Sequence, residues 1–521
     1  TANFSCVIPL FFLSSDINLL HNPFHMKGID KAANRIKQAI EENQKICIYG
    51  DYDVDGITSV AMLHNYLAIQ KVDVIYYIPN RLEEGYGLNR EAINKILEEK
   101  VDLIITVDCG ISSIAEAELC NEAGIDIIIT DHHKCGEELP NAYAIINPNQ
   151  SDCPYPFKHL AGGGVALKLV HALAFVLGAE DNYLDFIDLA ALATVADIVP
   201  LLGENRLIVK KGLKSIRQSE NIGINALIDV INVKPSEINT YHLGYLLAPR
   251  LNAAGRMKDA SLAVELLITK DYTRAYEIAR ELNESNIRRQ KIEASIADSA
   301  IEAIEKDIDV SSEKIIVVSG ASWHPGVIGI VASRITEKYN LPSIVFSVEE
   351  GIGKGSARSL PGFNIYEAIY RCKDLVDKFG GHEQAAGLTL KEENIELLRM
   401  KISSIAKEMM KDEILYKKIY VDYKIDKSNN LQDILEEIRW LEPFGLKNPK
   451  PLFVYRNMKI VDLRRVGNGK HLAMTLNDGE KPVRGIGFNF GYAVNYIAVN
   501  QKIDIICSVE RNVWKGIESI Q

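Results

Sequence analysis

In the first part of the chain, short apolar runs stop on acidic or imidazole side chains. Ile46-Cys47-Ile48-Tyr49 leads to Asp51-Tyr52-Asp53-Val54-Asp55-Gly56, and Leu103-Ile104-Ile105-Thr106-Val107 to Asp108-Cys109-Gly110. Ile125-Asp126-Ile127-Ile128-Ile129-Thr130 leads to Asp131-His132-His133, and Leu192-Ala193-Thr194-Val195-Ala196 to Asp197. Helix-like segments at 59–69, 89–99 and 114–123 alternate with such runs, so residues 46–200 predict a mainly parallel α/β sheet. Run ends in such a sheet gather along its carboxyl edge, where ligands bind. Carboxylates crowded there repel one another and are costly to desolvate, so their convergence calls for countercharge, most simply divalent metal.

The pattern then changes. Residues 205–269 are helical and weakly periodic, and 271–307 hold neither Pro nor Gly while Ile278, Leu282, Ile292, Ile296 and Ile304 supply an apolar stripe. One long connector helix is predicted there. A second α/β unit opens at Lys314-Ile315-Ile316-Val317-Val318, runs through a helix at 328–339, a strand at 343–347 and glycine-rich 351–359, and closes near Met410. From Ile419 onward short strand-like segments at 418–424, 452–463, 471–476, 484–488 and 503–509 predict a small OB-like β-barrel. The expected fold class is thus α/β: a parallel-sheet domain joined by a long helix to a smaller α/β domain, followed by the barrel. The expected boundaries are 1–225, 226–310, 311–415 and 416–521.

At 521 residues the chain exceeds one ordinary core, and 47% hydrophobic with 25% charged residues suits a soluble globular protein. A net charge of -11 argues against nucleic-acid binding by bulk attraction, but a metal centre cancels acidic charge and basic residues can be concentrated locally. The eight cysteines form no Cys-x-x-Cys pair, which predicts a disulfide-free, cytoplasmic protein. The apolar stretch Phe4 to Leu13 is too short to span a bilayer and is expected to be an early core element.

Asp53 and Asp55, two residues apart, would project the same way from an extended strand end, although the motif reads equally as an acidic turn capping a helix. Asp108, His132 and Asp197 at equivalent run ends favour the metal. A carboxylate and imidazole set without thiolate suits Mn²⁺ or Mg²⁺ rather than structural zinc. Asp108, central in order, could bridge two ions roughly 3.5–4 Å apart, the spacing of two-metal phosphoryl transfer. His133 is a further ligand or faces substrate, and Asp131 is expected to orient a histidine from behind. Glycines beside Ser356, Arg358 and His382 let backbone amides approach an anion. Arg81 and Tyr86 could hold a terminal phosphate and stack a base. Arg280, Arg288, Arg289 and Lys291 line a channel or form a solvated helix face, and Arg464, Arg465, Lys470 and His471 track a nucleic-acid backbone or form a polar hairpin. Trp323, Trp440 and Trp514 are expected to be packing residues.

In their order, the Asp51 to Gly56 motif, Asn80-Arg81 with Glu84-Gly85-Tyr86-Gly87, Val107-Asp108-Cys109-Gly110 and Asp131-His132-His133 resemble the DHH phosphoesterase superfamily. The chain more closely resembles the RecJ family of bacterial single-strand-specific exonucleases, from about Pro23 to its end. Arg250-Leu251-Asn252-Ala253-Ala254-Gly255-Arg256, Trp323 to Gly329, Gly355 to Arg358 and Gly380-Gly381-His382 resemble the associated DHHA1-type domain. The resemblance implies metal ligands at Asp53, Asp55, Asp108, His132 and Asp197, with Asp51 close by, and a catalytic set that adds His133. It implies substrate contacts from Arg81, Tyr86, Asn252, Arg256, Arg280, His324, Ser356, Arg358, Gly381 and His382. The implied activity is two-metal, 5′-to-3′ hydrolysis of single-stranded DNA to 5′-mononucleotides in repair and recombination. Implied partners are single-stranded DNA and a single-strand-binding protein or helicase, with a monomer as the working form. The rivals are a superfamily phosphodiesterase or phosphatase acting on short oligoribonucleotides or small nucleotides, and a non-catalytic nucleic-acid-binding relative.

Overall fold

The computed structural model describes residues 10–81, 84–85, 87–179, 182–257, 259–410, 418–426, 429–477, 479, 482–514 and 517–521. These form two compact units, a larger one from Leu20–Val199 and Lys211–Lys417, and a smaller one from described residues of Thr1–Leu19, Pro200–Lys210 and Lys418–Gln521. A four-residue helix α1 (Leu10–Leu13) belongs to the smaller unit.

The larger unit begins with α2 (Ile29–Glu41). Its first sheet holds β1 (Ile46–Gly50), β2 (Val74–Tyr77), β3 (Leu103–Val107), β4 (Asp126–Thr130) and β5 (Ala144–Ile146) in the order β2-β1-β3-β4-β5, all parallel. β1 and β3 are buried at every residue, which is why they read as unbroken apolar runs. The connecting helices are α3 (Val54–Ile69), α4 (Arg90–Glu98) and α5 (Ile114–Glu122), while α6 (Gly162–Val176) and α7 (Ile187–Ala196) pack against α3. Gly50 pairs with Val107 and Val107 with Thr130, so the next residues, Asp51, Asp108 and Asp131, leave the sheet side by side.

Two expectations about run ends are corrected. The run before Asp197 is helix α7, not a strand, and Asp197 is its C-cap. Its Ala- and Leu-rich sequence is buried almost all round, so no helical period shows. Nor do Asp53 and Asp55 share an extended end. Asp53 is extended at φ -94°, ψ 178° and N-caps α3, while Asp55 already lies in the first helical turn.

Helices α8 (Gly203–Ile216), α9 (Ile222–Ile231), α10 (Ala248–Met257) and α11 (Ser261–Ile268) lead to α12 (Tyr272–Asp307). Asp271 caps α12 by accepting from the Thr273 amide. Ala275, Ile278, Ala279 and Leu282 bury its first half, and Ile296, Ala297, Ala300 and Ile304 its second. At 36 residues it spans about 54 Å and carries the chain to the second sheet.

That sheet holds β6 (Ile316–Ala321), β7 (Ser343–Glu349), β8 (Ile352–Arg358), β9 (Lys378–His382) and β10 (Ala385–Lys391) in the order β6-β7-β8-β10-β9, parallel at β6–β7 and antiparallel elsewhere. With α12, helix α13 (Pro325–Tyr339) buries one face through Val318, Val327, Val331, Ile335 and Val345. α14 (Ile365–Tyr370) and α15 (Ile395–Met409) bury the other through Ile344, Phe346, Ala357, Leu388, Ile369, Leu398 and Ile402.

In the smaller unit, β11 (Tyr423–Ile425), β12 (Phe453–Val466), β13 (His471–Asn477) and β14 (Pro482–Gly487) run in that order, and β15 (Lys502–Cys507) also pairs with β12. The long β12 serves β11 and β15 with its first half and β13 with its second, bending through register irregularities into a half-barrel. β16 (Arg511–Trp514) and β17 (Ile517–Ile520) form a hairpin. An unexpected helix α16 (Leu431–Trp440), capped by Asn430, packs Leu435 and Ile438 into one core with Phe453, Met458, Ile460 and Leu476 of these strands. Trp440 is 67% exposed, so its expected packing role is corrected, whereas Trp323 does pack on the α12–α13 core. Arg206 is buried and donates five hydrogen bonds, to the carbonyls of Phe12, Trp440, Leu441, Glu442 and Pro443, with its guanidinium 4.0 Å from the centre of the Phe12 ring. Among the described residues no helix is long and apolar enough to cross a membrane.

Candidate metal centre

The sheet edge converts sequence neighbours into a three-dimensional donor set. Three groups each place one ligand atom per residue within 4.8 Å of the others: Asp51, Asp53 and Asp108; Asp108, His132 and His133; and Asp55, His132 and Asp197. Asp108 and His132 are each shared by two groups. His132 Nε2 lies 3.1 Å from Asp108, 3.7 Å from Asp197 and 3.8 Å from Asp55. Because Asp53 precedes α3 and Asp55 lies in its first turn, the two fall into different groups rather than chelating side by side.

The local backbone explains this convergence. Asp108 sits at φ +59°, a left-handed conformation that Asp tolerates better than most residues. Asp53 Oδ1 accepts from the amides of Asp55 and Gly56, fixing the first turn of α3. Asp131 Oδ1 accepts from the His132 and His133 amides and lies 2.7 Å from His133 Nδ1, while its Oδ2 accepts from Ile111. Asp131 thus orients His133, the residue two positions on. Asn147 and Asn149 donate to the carbonyls of His133 and His132 and hold the same loop from its other side.

Electrostatics sharpen the picture. Burial and then Asp53 push the Asp55 carboxyl up to about 7, and burial with Asp55 and Asp53 pushes Asp197 up to about 9. Asp51 and Asp108 are driven well above the carboxylate range, chiefly by burial. Such a set holds protons unless a cation replaces them. Asp51 Oδ1 and His132 Nε2 are buried and form no hydrogen bond, as donors kept for a metal would be. The chemistry of the donors fits Mn²⁺ or Mg²⁺, and Cys109 does not compete because burial holds its thiol far above its ordinary value. The adjacent histidines are pushed apart. Burial lowers His132 to about 4, leaving it neutral. Burial would also lower His133, but the Asp131 hydrogen bond and charge outweigh it and raise His133 to about 9.

A basic cluster faces the acidic one. Arg256 is lowered to about 10, first by burial and then by Arg81, Arg289 and Arg358, while Asp53 pulls the other way. Arg81 lies 5.0 Å from the Tyr52 ring centre. Arg358 donates to Ser356 Oγ at 3.1 Å, and Arg256 to the Gly326 carbonyl at 3.2 Å. Other expected substrate residues have local roles. Asn252 accepts from the Val54 amide, and His324 N-caps α13 through Nδ1. His382 stands exposed on β9, and Gly381 at φ +144° brings its backbone against Ala385, where a Cβ would fall 2.4 Å from the carbonyl oxygen. Arg280 projects from an exposed flank of α12, 3.8 Å from Glu284, and Tyr86 lies outside the described residues. Arg465 donates to the Gly491 carbonyl and the Asn495 side chain, and so ties β12 to the 491–495 turn.

Gly162 and Gly163 are the residues that the sequence reading missed. Their amides donate to Asp55 at 2.7 and 2.6 Å from the N-terminus of α6. A Cβ on Gly162 would lie 2.6 Å from Asp108 Oδ1, and one on Gly163 2.4 Å from Ala193. Three consecutive glycines before an apolar run, Gly162-Gly163-Gly164, were the available signal.

Comparison with known proteins places the chain by domain and by overall similarity. Residues 45–195 match the DHH family, N-terminal domain, residues 312–408 the DHHA1 domain and residues 421–521 the RecJ OB domain. The single-stranded-DNA-specific exonuclease RecJ of Bacillus subtilis is 42% identical over 97% of this chain, which spans 64% of that relative's length. The Haemophilus influenzae RecJ is 35% identical, over 98% of this chain and 92% of its own. Among solved structures, RecJ of Thermus thermophilus in complex with Mn²⁺ superposes with a TM-score of 0.84 at 32% identity, covering 98% of this chain and 72% of that one. The same protein in complex with Mg²⁺ gives 0.78 at 29% identity, covering 98% of this chain and 70% of that one. With the DHH, DHHA1 and OB domain models matched in that order along the chain, and relatives above 30% identity covering nearly all of it, the chain belongs to the RecJ family of single-stranded-DNA-specific exonucleases.

Proposed function

We propose that this chain hydrolyses single-stranded DNA from its 5′ end, releasing 5′-mononucleotides during repair and recombination in the cytoplasm. The observation that carries this reading is the set of overlapping donor groups joined through Asp108 and His132, opposite the cluster of Arg81, Arg256 and Arg358. Asp51, Asp53 and Asp108 would hold one divalent cation, Mn²⁺ or Mg²⁺, and Asp55, His132 and Asp197 with Asp108 a second. When bound, these ions supply Lewis-acid polarisation of the phosphoryl group and of water.

The chain's own residues do the rest. Gly162 and Gly163 fix the Asp55 carboxylate by two hydrogen bonds donated from their backbone amides, and Asp131 holds His133 positively charged near neutral pH. His133 then offers a cationic donor to a phosphoryl oxygen, while neutral His132 presents a lone pair to the centre. Arg81, Ser356 and Arg358 position the terminal phosphate, and the half-barrel adds affinity for a polymer. A monomer would suffice for this chemistry, with a single-strand-binding protein or helicase delivering the strand.

The test compares a 5′-phosphorylated single strand, the same strand in duplex and a dinucleotide, each with Mn²⁺. Preference for the single strand is expected. Turnover of the dinucleotide alone would replace this reading with a small-substrate phosphodiesterase, and metal-dependent turnover unchanged by Asp108→Asn would remove the centre from the chemistry.

A further inference from the structure

Asp51, Asp108 and Asp131 leave the first sheet side by side, yet of the three only Asp108 does so through a positive φ, at +59°. A left-handed Asp persists only where its surroundings over-determine it. The strand ends beside it hold two hydroxyls that do this. From Leu103 and Ile127 onward, β3 and β4 are apolar until Thr106 and Thr130, which are fully buried on these adjacent strands. Valine or isoleucine would serve the strand equally well there, as at Ile105, Val107 and Ile129, whereas a buried hydroxyl is costly unless it is bonded. Both are bonded, and both to the backbone that shapes the Asp108 turn.

Thr106 Oγ1 donates to the Cys109 carbonyl at 2.8 Å, closing the loop 106–109 with Asp108 at its bend. Thr130 Oγ1 donates to the Thr106 carbonyl at 2.7 Å from the neighbouring strand. Gly110, at φ +108°, then passes so near that a Cβ there would fall 2.9 Å from Thr106 Oγ1. One residue further on, the Ile111 amide donates to Asp131 Oδ2 at 2.9 Å. The turn is thus tied at 109 to its own strand, and at 111 to the carboxylate that also orients His133.

We propose that Thr106, supported by Thr130, is a positioning residue for the metal centre. Its hydroxyl holds the Asp108 turn in the left-handed form, and so sets where the carboxylate shared by two donor groups stands. Without that hydroxyl the Cys109 carbonyl is buried and lacks this donor, and Asp108 is released toward the right-handed conformation that Asp prefers. Both donor groups are affected, because Asp108 belongs to both. The proposal rests on the metal-centre reading above and extends it to uncharged residues inside the sheet.

The test measures Mn²⁺ binding to the full chain by calorimetric titration, beside the melting temperature of the metal-free protein, for Thr106→Val, Thr106→Ser and Thr130→Val. Valine keeps the shape and loses the hydroxyl, whereas serine keeps the hydroxyl and loses a buried methyl. Thr106→Val should bind Mn²⁺ roughly tenfold to a hundredfold more weakly while melting close to the unsubstituted chain. Thr106→Ser should bind Mn²⁺ nearly as tightly as the unsubstituted chain although it melts earlier. Thr130→Val, one link further back, should weaken binding less than Thr106→Val. Affinity and stability then rank the valine and serine variants in opposite orders, which a purely structural role does not produce. Unchanged affinity in Thr106→Val, or affinity that follows melting temperature through both Thr106 variants, would overturn the proposal. If Thr106→Val does not fold, the same comparison of Thr130→Val with Thr130→Ser decides. If the unsubstituted chain binds no Mn²⁺, the metal centre fails instead, and the two failures are distinguishable.

Discussion

Metal affinity should rise steeply with pH, because the centre must exchange protons for ions. Asp197 is held up to about 9 and Asp55 to about 7, against an ordinary value of 3.8. A carboxyl raised in this way keeps its proton in the fold after the unfolded chain has released it. Metal-free stability therefore falls as pH climbs from 3.8 toward the folded value, by about 1.4 kcal/mol per pH unit for each proton retained. Between pH 6 and 8 Asp197 alone costs about 3 kcal/mol, and Asp55 adds a smaller share below 7. His133, raised to about 9, acts in the same direction above its ordinary 6.5, whereas lowered His132 changes only below that value. Bound Mn²⁺ removes the need for the carboxyl protons, so each displaced proton makes affinity rise about tenfold per pH unit. Calorimetric titration of Mn²⁺ in buffers of different ionisation enthalpy counts those protons directly. About one to two released near pH 7, with tighter binding at pH 8 than at pH 6, is the expected result. Affinity independent of pH, with no proton release, would refute the picture of a buried protonated carboxylate cluster.

Other substitutions probe separate links. Gly162→Ala drives a methyl to within 2.6 Å of Asp108 Oδ1, so Mn²⁺ affinity should fall by at least about tenfold, measured in the same titration. Asp131→Asn removes the charge that keeps His133 protonated, so the alkaline limb of the kcat profile should move to lower pH; an unmoved limb would exclude His133 as the cationic donor. Arg206→Leu removes five hydrogen bonds, one buried and four part-buried, and should destabilise the smaller unit by about 3–5 kcal/mol, seen as earlier proteolysis within 418–521. On the proposed grip of the terminal phosphate by Arg358, which donates to Ser356 Oγ, Arg358→Ala should raise KM for a 5′-phosphorylated strand more than for a 5′-hydroxyl one.

Local order was legible in the sequence by itself. Apolar runs in β1, β3 and β4, the helices between them, the unbroken α12 and the residues that follow each strand all depend on neighbours a few positions apart, and the motifs placed Asp108 and His132 at the sheet edge. Tertiary structure decided everything that depends on residues distant in sequence. It turned the run before Asp197 into a helix, because a segment buried on all sides loses the period that distinguishes helix from strand. It sent Asp53 and Asp55 to different donor groups, since helix α3 begins between them. It brought Gly162 and Gly163 to Asp55 across more than a hundred residues, and the spacing of those glycines carries no mark of that partner. The opposite charge states of two neighbouring histidines are likewise tertiary. They arise from burial and from the contact of Asp131 with one ring only, and adjacent identical residues in a sequence have no means of expressing that difference.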